Sequence, residues 1–253
     1  MIKIRMKLID KVFNRLYWFY KIGYRYYFFK SSIHGCRDAI ININKSVKIK
    51  HCNINLVHGS SLVIGEGTIL QNVNLTIKGN VIIGNNNIIS SGNPIAKLSL
   101  LIDGDAVIGN NNRLQSRLLM RYASKFSMGN YNNINQESEI RVDDKVIIGS
   151  FNQISYKVII WDTNTHNIYP AAYRRKLAED KFPVFGYEFE KPKTKPVIIG
   201  DDCWIGREAA LLKGAYLSDR CVLGFRAVLS DFITEEGTTI VSSISNKVFK
   251  NKI

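Results

Sequence analysis

The chain has 253 residues, of which 45% are hydrophobic, and a formal net charge of +14. This apolar share is enough to form a core, which excludes an intrinsically disordered chain. Residues 1–30 hold eight Lys or Arg against a single acid, a net charge of +7 and half of the total excess. The charge indicates an anionic partner or a basic surface at one end, and nucleic acid, anionic lipid and acidic glycan all fit that sign.

The four cysteines are Cys36, Cys52, Cys203 and Cys221; they form no C-x-x-C pair and have no histidine at zinc-finger spacing. We therefore expect reduced thiols, a cytoplasmic setting and no metal site. Charges interrupt the aromatic residues of the first thirty positions, so no run of about 18 apolar residues is present to span a bilayer. No apolar stretch is followed by a small-residue cleavage site, which argues against a signal peptide.

Residues 1–32 form the first predicted segment, a basic amphipathic helix. Its apolar side chains recur every three or four residues and form one stripe: Ile9, Val12, Phe13, Leu16, Tyr17 and Tyr20. Lys11, Arg15 and Trp18 fall outside the stripe. Two interpretations stay open: the helix lies on an anionic membrane surface at the inner face of the cytoplasmic membrane, or it packs on its own or a neighbouring subunit with a solvated basic face.

Residues 33–250 form the second predicted segment, marked by a six-residue repeat. An aliphatic residue recurs without a slip at Ile199, Ile205, Leu211, Leu217, Leu223 and Leu229. A small residue follows four positions after each of the first five: Cys203, Ala209, Ala215, Cys221 and Ala227. A helix needs a period of 3.6, whereas six suits a triangular coil of three short strands and three turns. We expect Ile199 under Leu217 and Cys203 under Cys221, about 4.8 Å apart.

Upstream, a two-residue step followed by glycine recurs with looser spacing; the two residues are aliphatic in every case except Ser127-Met128. The glycines are Gly65, Gly84, Gly109, Gly129, Gly149 and Gly200, at intervals of 19, 25, 20, 20 and 51 residues. These intervals predict 18-residue coils with short insertions and one long insertion at residues 167–196. Asparagine runs follow Gly84 and Gly109, which favours corners, because asparagine tolerates left-handed backbone angles.

Two stretches resemble a known family, the hexapeptide-repeat sugar O-acetyltransferases. Residues 195–206 read K-P-V-I-I-G-D-D-C-W-I-G and are similar to the family coil P-V-x-I-G-D-x-V-W-I-G, while residues 246–250 resemble its N-P-A-K-V-I-K tail. Ser245 stands where the family usually has proline. The resemblance covers roughly residues 40–250 for the fold and 158–250 in detail. It implies an all-β protein, a left-handed parallel β-helix with an N-terminal helical segment and a long loop insertion, and a homotrimer with active sites between subunits.

His166 is the candidate general base, at the start of the long insertion in the sequence W-D-T-N-T-H. This segment is similar to the family's D-x-D-x-H, with Asn164 in place of the second acid. A neutral imidazole suits removal of a proton from an alcohol that attacks a thioester. We expect Asp162 or a backbone carbonyl to fix its tautomer, and Asn164 leaves that partner open. The remaining histidines, His34, His51 and His58, have no acidic neighbour in sequence and are expected to be structural or solvent-exposed.

The resemblance also implies the positions of donor and acceptor. The family counterpart of Trp204 lies near their shared channel, and we expect Arg174 and Tyr187 of the insertion in the same acceptor and donor channel. Two interpretations of Arg174 stay open: it contacts an acidic acceptor, or it belongs to a solvated face. Pro170 is expected to open a short helix over residues 171–180. Acetyl-CoA is expected along the last coils, at Gly206, Arg207, Gly224, Phe225 and Ser230, with Lys247 and Lys250 meeting its phosphates. The family often has Thr-Lys where this chain has Ser230-Asp231, and a small residue in place of Phe225 and Arg226.

The predicted function is that of an acetyl-CoA-dependent O-acetyltransferase acting on a sugar hydroxyl of a bacterial surface polysaccharide, capsule or O-antigen, or of its lipid-linked precursor. An N-acetyltransferase on a nucleotide-linked amino sugar is the first alternative. A metal-dependent hydratase of the same fold needs three clustered histidines, and those of this sequence are scattered. A non-enzymatic scaffold or binder is the last alternative, and no nucleic-acid-binding motif is found.

Overall fold

The computed structural model describes residues 12–14, 16–27, 29–93, 95–184, 188 and 190–243. Within them, short parallel strands form three sheets of nine, eight and nine strands. The chain visits the sheets in turn and returns one strand further along at each pass, so that three successive strands make one coil. The predicted fold class, a left-handed parallel β-helix, is confirmed.

The strands are numbered in chain order, and each sheet takes every third one. The first sheet contains β1 (Ser32–Gly35), β4 (Asn53–Leu56), β7 (Val73–Ile77), β10 (Leu98–Ile102), β13 (Arg117–Met120), β16 (Glu139–Val142), β19 (Ile159–Trp161), β22 (Ala210–Leu212) and β25 (Val228–Leu229). The second contains β2 (Ile40–Ile43), β5 (Ser61–Ile64), β8 (Asn80–Ile83), β11 (Gly104–Ile108), β14 (Ser124–Met128), β17 (Lys145–Ile148), β20 (Val197–Ile199) and β23 (Tyr216–Leu217). The third contains β3 (Lys48–Lys50), β6 (Ile69–Gln71), β9 (Ile88–Ser90), β12 (Arg113–Leu114), β15 (Asn133–Ile134), β18 (Gln153–Ile154), β21 (Trp204–Ile205), β24 (Val222–Leu223) and β26 (Thr239–Ile240).

Three corners join the sheets in each coil. The first corner leads from the first sheet to the second, the second corner from the second sheet to the third, and the third corner back to the first sheet. In a triangular cross-section, the first corner therefore lies opposite the third sheet.

The strand register confirms the predicted coil lengths. Ile199 pairs with Leu217, and Trp204 pairs with Val222, which stacks Cys203 on Cys221. In the second sheet one column of paired residues runs Ile64, Ile83, Ile108, Met128, Ile148 and Ile199. The steps in this column equal the glycine intervals of the sequence, so the 51-residue step from Ile148 to Ile199 places the long insertion between β19 and β20.

Inside the coils, aliphatic side chains form one continuous core along the axis. The strands alternate between buried and exposed residues, as in β17 and β20, because successive side chains point to opposite faces. Cys203 and Cys221 belong to this core, and all four cysteines are free thiols.

The second corner explains the glycine and asparagine signals. A Cβ added to Gly149 would lie 2.6 Å from the carbonyl oxygen of Gly200 in the next coil, so only glycine fits where the coils approach. Beside the glycines, buried asparagines form a ladder. Asn132 donates to the Gly149 carbonyl at 2.8 Å, and its own side-chain oxygen accepts the Asn152 N–H at 3.0 Å. The ladder satisfies backbone groups that the turn leaves unpaired.

The N-terminal segment is helical through residues 12–14 and 16–18, continues as a π-helix over Phe19–Gly23 and ends in α1 (Tyr24–Tyr27). Trp18, Ile22 and Tyr26 are its buried residues, and a Cβ on Gly35 of β1 would lie 3.1 Å from the Trp18 ring. The face that packs is therefore the one containing Trp18, outside the predicted apolar stripe. Among the described residues, no helix combines the length and apolarity needed to cross a bilayer.

The long insertion leaves and rejoins the first corner at adjacent points. Asn164 N–H donates to the Lys193 carbonyl at 3.0 Å, and Lys195 N–H donates to the Asp162 carbonyl at 3.0 Å. Between these ends the chain forms α2 (Ala171–Lys181), which confirms the predicted helix after Pro170. The insertion is thus a loop tied at its base to the first corner.

Candidate active site

His166 lies in a tight turn at the base of the insertion. Its backbone N–H donates to the Asn164 carbonyl at 2.8 Å, and Thr165 between them has a φ of +65°. The Thr165 N–H donates to the Thr163 hydroxyl at 3.0 Å. A positive φ is unfavourable for a β-branched residue such as Thr165, and backbone strain of this kind is typical of functional sites.

The partner of His166 is Glu188, which returns from the far part of the insertion. His166 Nδ1 lies 3.1 Å from Glu188 Oε2. The imidazole side chain is 54% exposed, whereas the carboxylate side chain is 2% exposed. An ionised carboxylate only accepts hydrogen bonds, so Nδ1 carries the proton and the lone pair of Nε2 is left to accept another. Chemically, an imidazole in this arrangement is able to accept a proton at Nε2 while the carboxylate holds the ring.

Glu188 is held by several donors besides His166. Its Oε2 accepts the Asn167 N–H at 3.1 Å, its Oε1 accepts the Tyr169 hydroxyl at 3.0 Å, and the Arg174 guanidinium lies 3.7 Å from Oε2. Burial opposes ionisation, but Asn167, Tyr169, His166 and Arg174 together hold the pKa of Glu188 below its usual value. Burial and the neighbouring Glu188 raise the pKa of Tyr169 to about 12. The carboxylate is therefore charged and the phenol is its neutral donor.

The segment around Glu188 is also attached to the coils. The Tyr122 hydroxyl, at the first corner between β13 and β14, lies 3.0 Å from the Glu188 carbonyl oxygen and 3.2 Å from that of Glu190. Arg174 of α2 stacks over the Tyr169 ring at 5.0 Å from its centroid. Arg174, which is expected in the acceptor and donor channel, thus faces Glu188 and Tyr169 within the insertion.

Asp162 has a different partner from the one expected. Its Oδ1 accepts the Asp143 N–H at 2.8 Å, and its Oδ2 accepts the N–H groups of Asp144 and Lys145 at 2.8 and 2.6 Å. The side chain is fully buried, and burial raises its pKa to about 6 despite these donors. The expectation that Asp162 orients His166 is corrected: its oxygens bind the backbone of the preceding coil, and Glu188 faces the histidine. Asn164 is exposed and contacts His166 through its carbonyl group.

Trp204 lies on a different side of the solenoid from His166. It belongs to β21 of the third sheet, pairs with Gln153 and Val222, and is 60% exposed. His166 is at the first corner, which lies opposite the third sheet. Trp204, which the resemblance places near the donor and acceptor channel, and the candidate base His166 are therefore separated by the body of a single chain.

The residues that are expected to bind acetyl-CoA, the acyl donor, lie at two corners. Gly206, Arg207, Gly224 and Phe225 occupy the third corner, where a Cβ on Gly206 would lie 2.8 Å from the Gly224 carbonyl carbon. Phe225 is exposed and carries the Arg226 guanidinium 4.8 Å above its ring. Ser230 lies at the first corner, where its hydroxyl donates to the Lys213 carbonyl at 3.4 Å. Tyr187, Lys247 and Lys250 lie outside the described residues.

Sequence reasoning missed Glu188 and Tyr122. Glu188 is an acid within the aromatic sequence F-G-Y-E-F-E. This placement of a carboxylate among aromatic residues was the one feature of the sequence that could have indicated a buried acid. Over the described ranges, no three His, Cys, Asp or Glu side chains converge in a way that could hold a metal ion.

Neither a family model nor a curated protein matches the sequence. Among solved structures, the polySia-specific acetyltransferase NeuO is similar at 14% identity and a TM-score of 0.49, over 86% of this chain and 91% of NeuO. The polysialic acid O-acetyltransferase OatWY is similar at 19% identity and a TM-score of 0.46, over 86% of this chain and 94% of its own. LpxA from Acinetobacter baumannii is similar at 17% identity and a TM-score of 0.45; the match covers 77% of this chain and 66% of LpxA, just under two thirds of its length. At these low identities the likeness concerns the fold, which the strand register of the chain itself establishes.

Proposed function

We propose that this chain is an acetyl-CoA-dependent O-acetyltransferase that acts on a sugar hydroxyl of a surface polysaccharide or of its lipid-linked precursor. The observation that carries the proposal is the pair formed by His166 and Glu188: an exposed imidazole hydrogen-bonded through Nδ1 to a buried, ionised carboxylate. Such a pair has the elements of a general base, because a proton held on Nδ1 by the carboxylate leaves the lone pair of Nε2 to accept another, and about half of the imidazole surface is exposed.

In this mechanism acetyl-CoA supplies the acetyl group as a thioester. His166 Nε2 accepts the hydroxyl proton of the sugar as the sugar oxygen bonds to the thioester carbonyl carbon. Glu188 stabilises the imidazolium that forms and keeps the ring in place. The carbon–sulfur bond then breaks, and the imidazolium returns its proton to the leaving thiolate, which yields the acetyl ester and the free thiol. His166 both takes up and returns the proton, and the acetyl group passes directly from sulfur to oxygen. No covalent acyl-enzyme is therefore required.

The proposal is tested by His166→Ala, with release of free thiol from acetyl-CoA as the readout, across a panel of glycans. Loss of about 10²-fold or more in kcat is expected for a general base. His58 provides a matched control, because its Nδ1 also lies against a carboxylate, that of Asp38, at 2.5 Å. His58→Ala should leave turnover unchanged. Full turnover in His166→Ala would refute the assignment.

The acceptor atom is identified from the product. Mild alkali cleaves an acetyl ester and leaves an acetamide intact, so product mass before and after alkali distinguishes O- from N-acetylation. An alkali-stable product would replace the proposal with the N-acetyltransferase alternative.

We also propose that the site is completed between subunits of a trimer. The opposite placement of Trp204 and His166 in one chain supports this arrangement, since a neighbouring chain could bring its third sheet to the first corner. Inactive His166→Ala and Trp204→Ala proteins, unfolded together in equal amounts and refolded, should regain about a quarter of wild-type activity, because one site in four then combines both intact side chains. No recovery on mixing would argue for a site within one chain.

A further inference from the structure

The N-terminal helix has two apolar faces, and only one of them packs on the β-helix. Trp18, Ile22 and Tyr26 recur every four residues and are buried against the first coil. The exposed side chains recur every three or four residues on the other face, at about 100° per residue around the axis. They are Val12, Phe13, Leu16, Tyr17 and Tyr20, with exposures from 43% to 73%. Contiguous apolar side chains at a protein surface mark interaction sites.

Positive charge surrounds this exposed face. Residues 1–65 contain twelve Lys or Arg and two acids, so this quarter of the chain carries a net charge of +10 out of the total of +14. Lys21 and Arg25 lie on the helix and are exposed, and Arg37 lines a cleft together with Phe13 and Tyr20. Lys48 and Lys50 of β3 project from the first coil beside Arg25. Aromatic and cationic side chains therefore share one end of the solenoid.

We infer that this end of the molecule binds the surface of an anionic lipid bilayer, with the exposed helix face inserted at the level of the headgroups. The charge favours this occupant over a second copy of the same surface: among residues 12–65, those that the structure describes include seven Lys or Arg and one acid, a net charge of +6, and two such ends repel each other. Tyrosine and phenylalanine with flanking Lys and Arg are the side chains of interfacial helices, in which apolar contact and attraction to acidic headgroups add. The packed face fixes the helix to the β-helix, so the exposed face is presented without unfolding.

Sedimentation of the full chain with vesicles tests the inference. The wild-type protein should bind phosphatidylcholine vesicles that contain about 30% phosphatidylglycerol at an ionic strength of about 0.15 M, and should not bind vesicles of phosphatidylcholine alone. Lys21→Gln with Arg25→Gln should weaken binding roughly 25-fold, at about fivefold per basic residue. Phe13→Ser with Tyr20→Ser should weaken it by at least about tenfold.

The matched control is Tyr131→Ser with Phe151→Ser, a second exposed aromatic pair that stacks at 5.1 Å at the second corner, far from the helix. The control should bind vesicles as the wild type does. All variants should keep the melting temperature of the wild type, because the replaced side chains are exposed. The inference is overturned if the wild type does not bind anionic vesicles or if Phe13→Ser with Tyr20→Ser binds them normally. It is also overturned if that pair changes oligomer size and not vesicle binding, which would make the face a contact between copies.

Discussion

Replacing Glu188 by Gln isolates the charge of the orienting carboxylate. The hydrogen-bond pattern predicts how the new amide side chain would sit. Its carbonyl oxygen would take the Oε2 position, where it can accept from Asn167 N–H and His166 Nδ1, and its NH₂ group would face the Tyr169 oxygen at the Oε1 position. The ring would keep its tautomer, so the variant loses the charge beside the imidazolium and retains the geometry.

The size of the effect follows from the two kinds of hydrogen bond. A bond to a charged group contributes about 1.5–3 kcal/mol, and a neutral one about 0.5–1.5 kcal/mol, so the loss is about 1–2 kcal/mol in the transition state. At about 1.4 kcal/mol per factor of ten, kcat should fall roughly 5- to 30-fold, with little change in KM. Glu188→Ala also removes the acceptor that sets the tautomer, and about 10²-fold or more should be lost.

The assay is thiol release from acetyl-CoA over a range of acceptor concentrations, measured together with the melting temperature. Glu188→Gln removes the charge that stabilises the imidazolium and keeps the geometry, so kcat should fall while KM and the melting temperature stay near their wild-type values. A merely structural role would lower the melting temperature and change kcat and KM together. A kcat for Glu188→Gln within about twofold of wild type would refute the reasoning.

Three further predictions concern the coils. Asp162→Asn places an amide against backbone N–H groups of the preceding coil, so it should lower the free energy of unfolding by about 1–3 kcal/mol, measured as a lower melting temperature. The kcat of this variant should stay within about threefold of wild type. A kcat loss like that of Glu188→Gln would restore Asp162 to the catalytic role. The pKa of Asp162 is about 6, above its ordinary value, so the folded state binds this proton more tightly than the unfolded state does. The contribution of Asp162 to the free energy of unfolding should therefore fall as the pH rises from about 4 to about 6. Denaturant titrations should show this fall in the wild type and not in Asp162→Asn. Gly149→Ala forces a Cβ to within 2.6 Å of a backbone oxygen and should lower the free energy of unfolding by more than about 3 kcal/mol. Gly59 has open space around it and a φ of +70°, so Gly59→Ala should lower it by only about 1–2 kcal/mol. Equal losses in thermal unfolding would contradict the close-approach explanation.

The fold could be predicted because its signal is local and repeated. Each coil buries its own aliphatic residues, so the spacing from Ile199 to Leu229 predicts the strand register directly. Gly149 is a glycine because neighbouring coils approach closely at that position. His166 could be singled out because few histidines compete with it. The face of the N-terminal helix that packs could not be predicted, because both faces are apolar and the choice depends on the fit of Trp18 over Gly35.

The partner of His166 was missed for a physical reason. Asp162 is close in sequence, but its strand-end position turns the side chain toward the backbone of the previous coil. Glu188 is 22 residues away and reaches the ring only because the insertion folds back and is tied to Tyr122. A contact of this kind depends on tertiary structure and leaves no periodic pattern.

The long step in the register also bears on how the molecule assembles. Most coils form by closing about 18 to 25 residues, but the coil joining Ile148 to Ile199 must close 51 residues. By the logarithmic dependence of loop entropy on length, this closure costs about 0.8 kcal/mol more than that of a roughly 20-residue coil. In a linear array stabilised by nearest neighbours, folding should propagate on either side and join there last. Native-state hydrogen exchange should then place the weakest coupling between β17 and β20, so that the coils before and after the long insertion open as separate cooperative units.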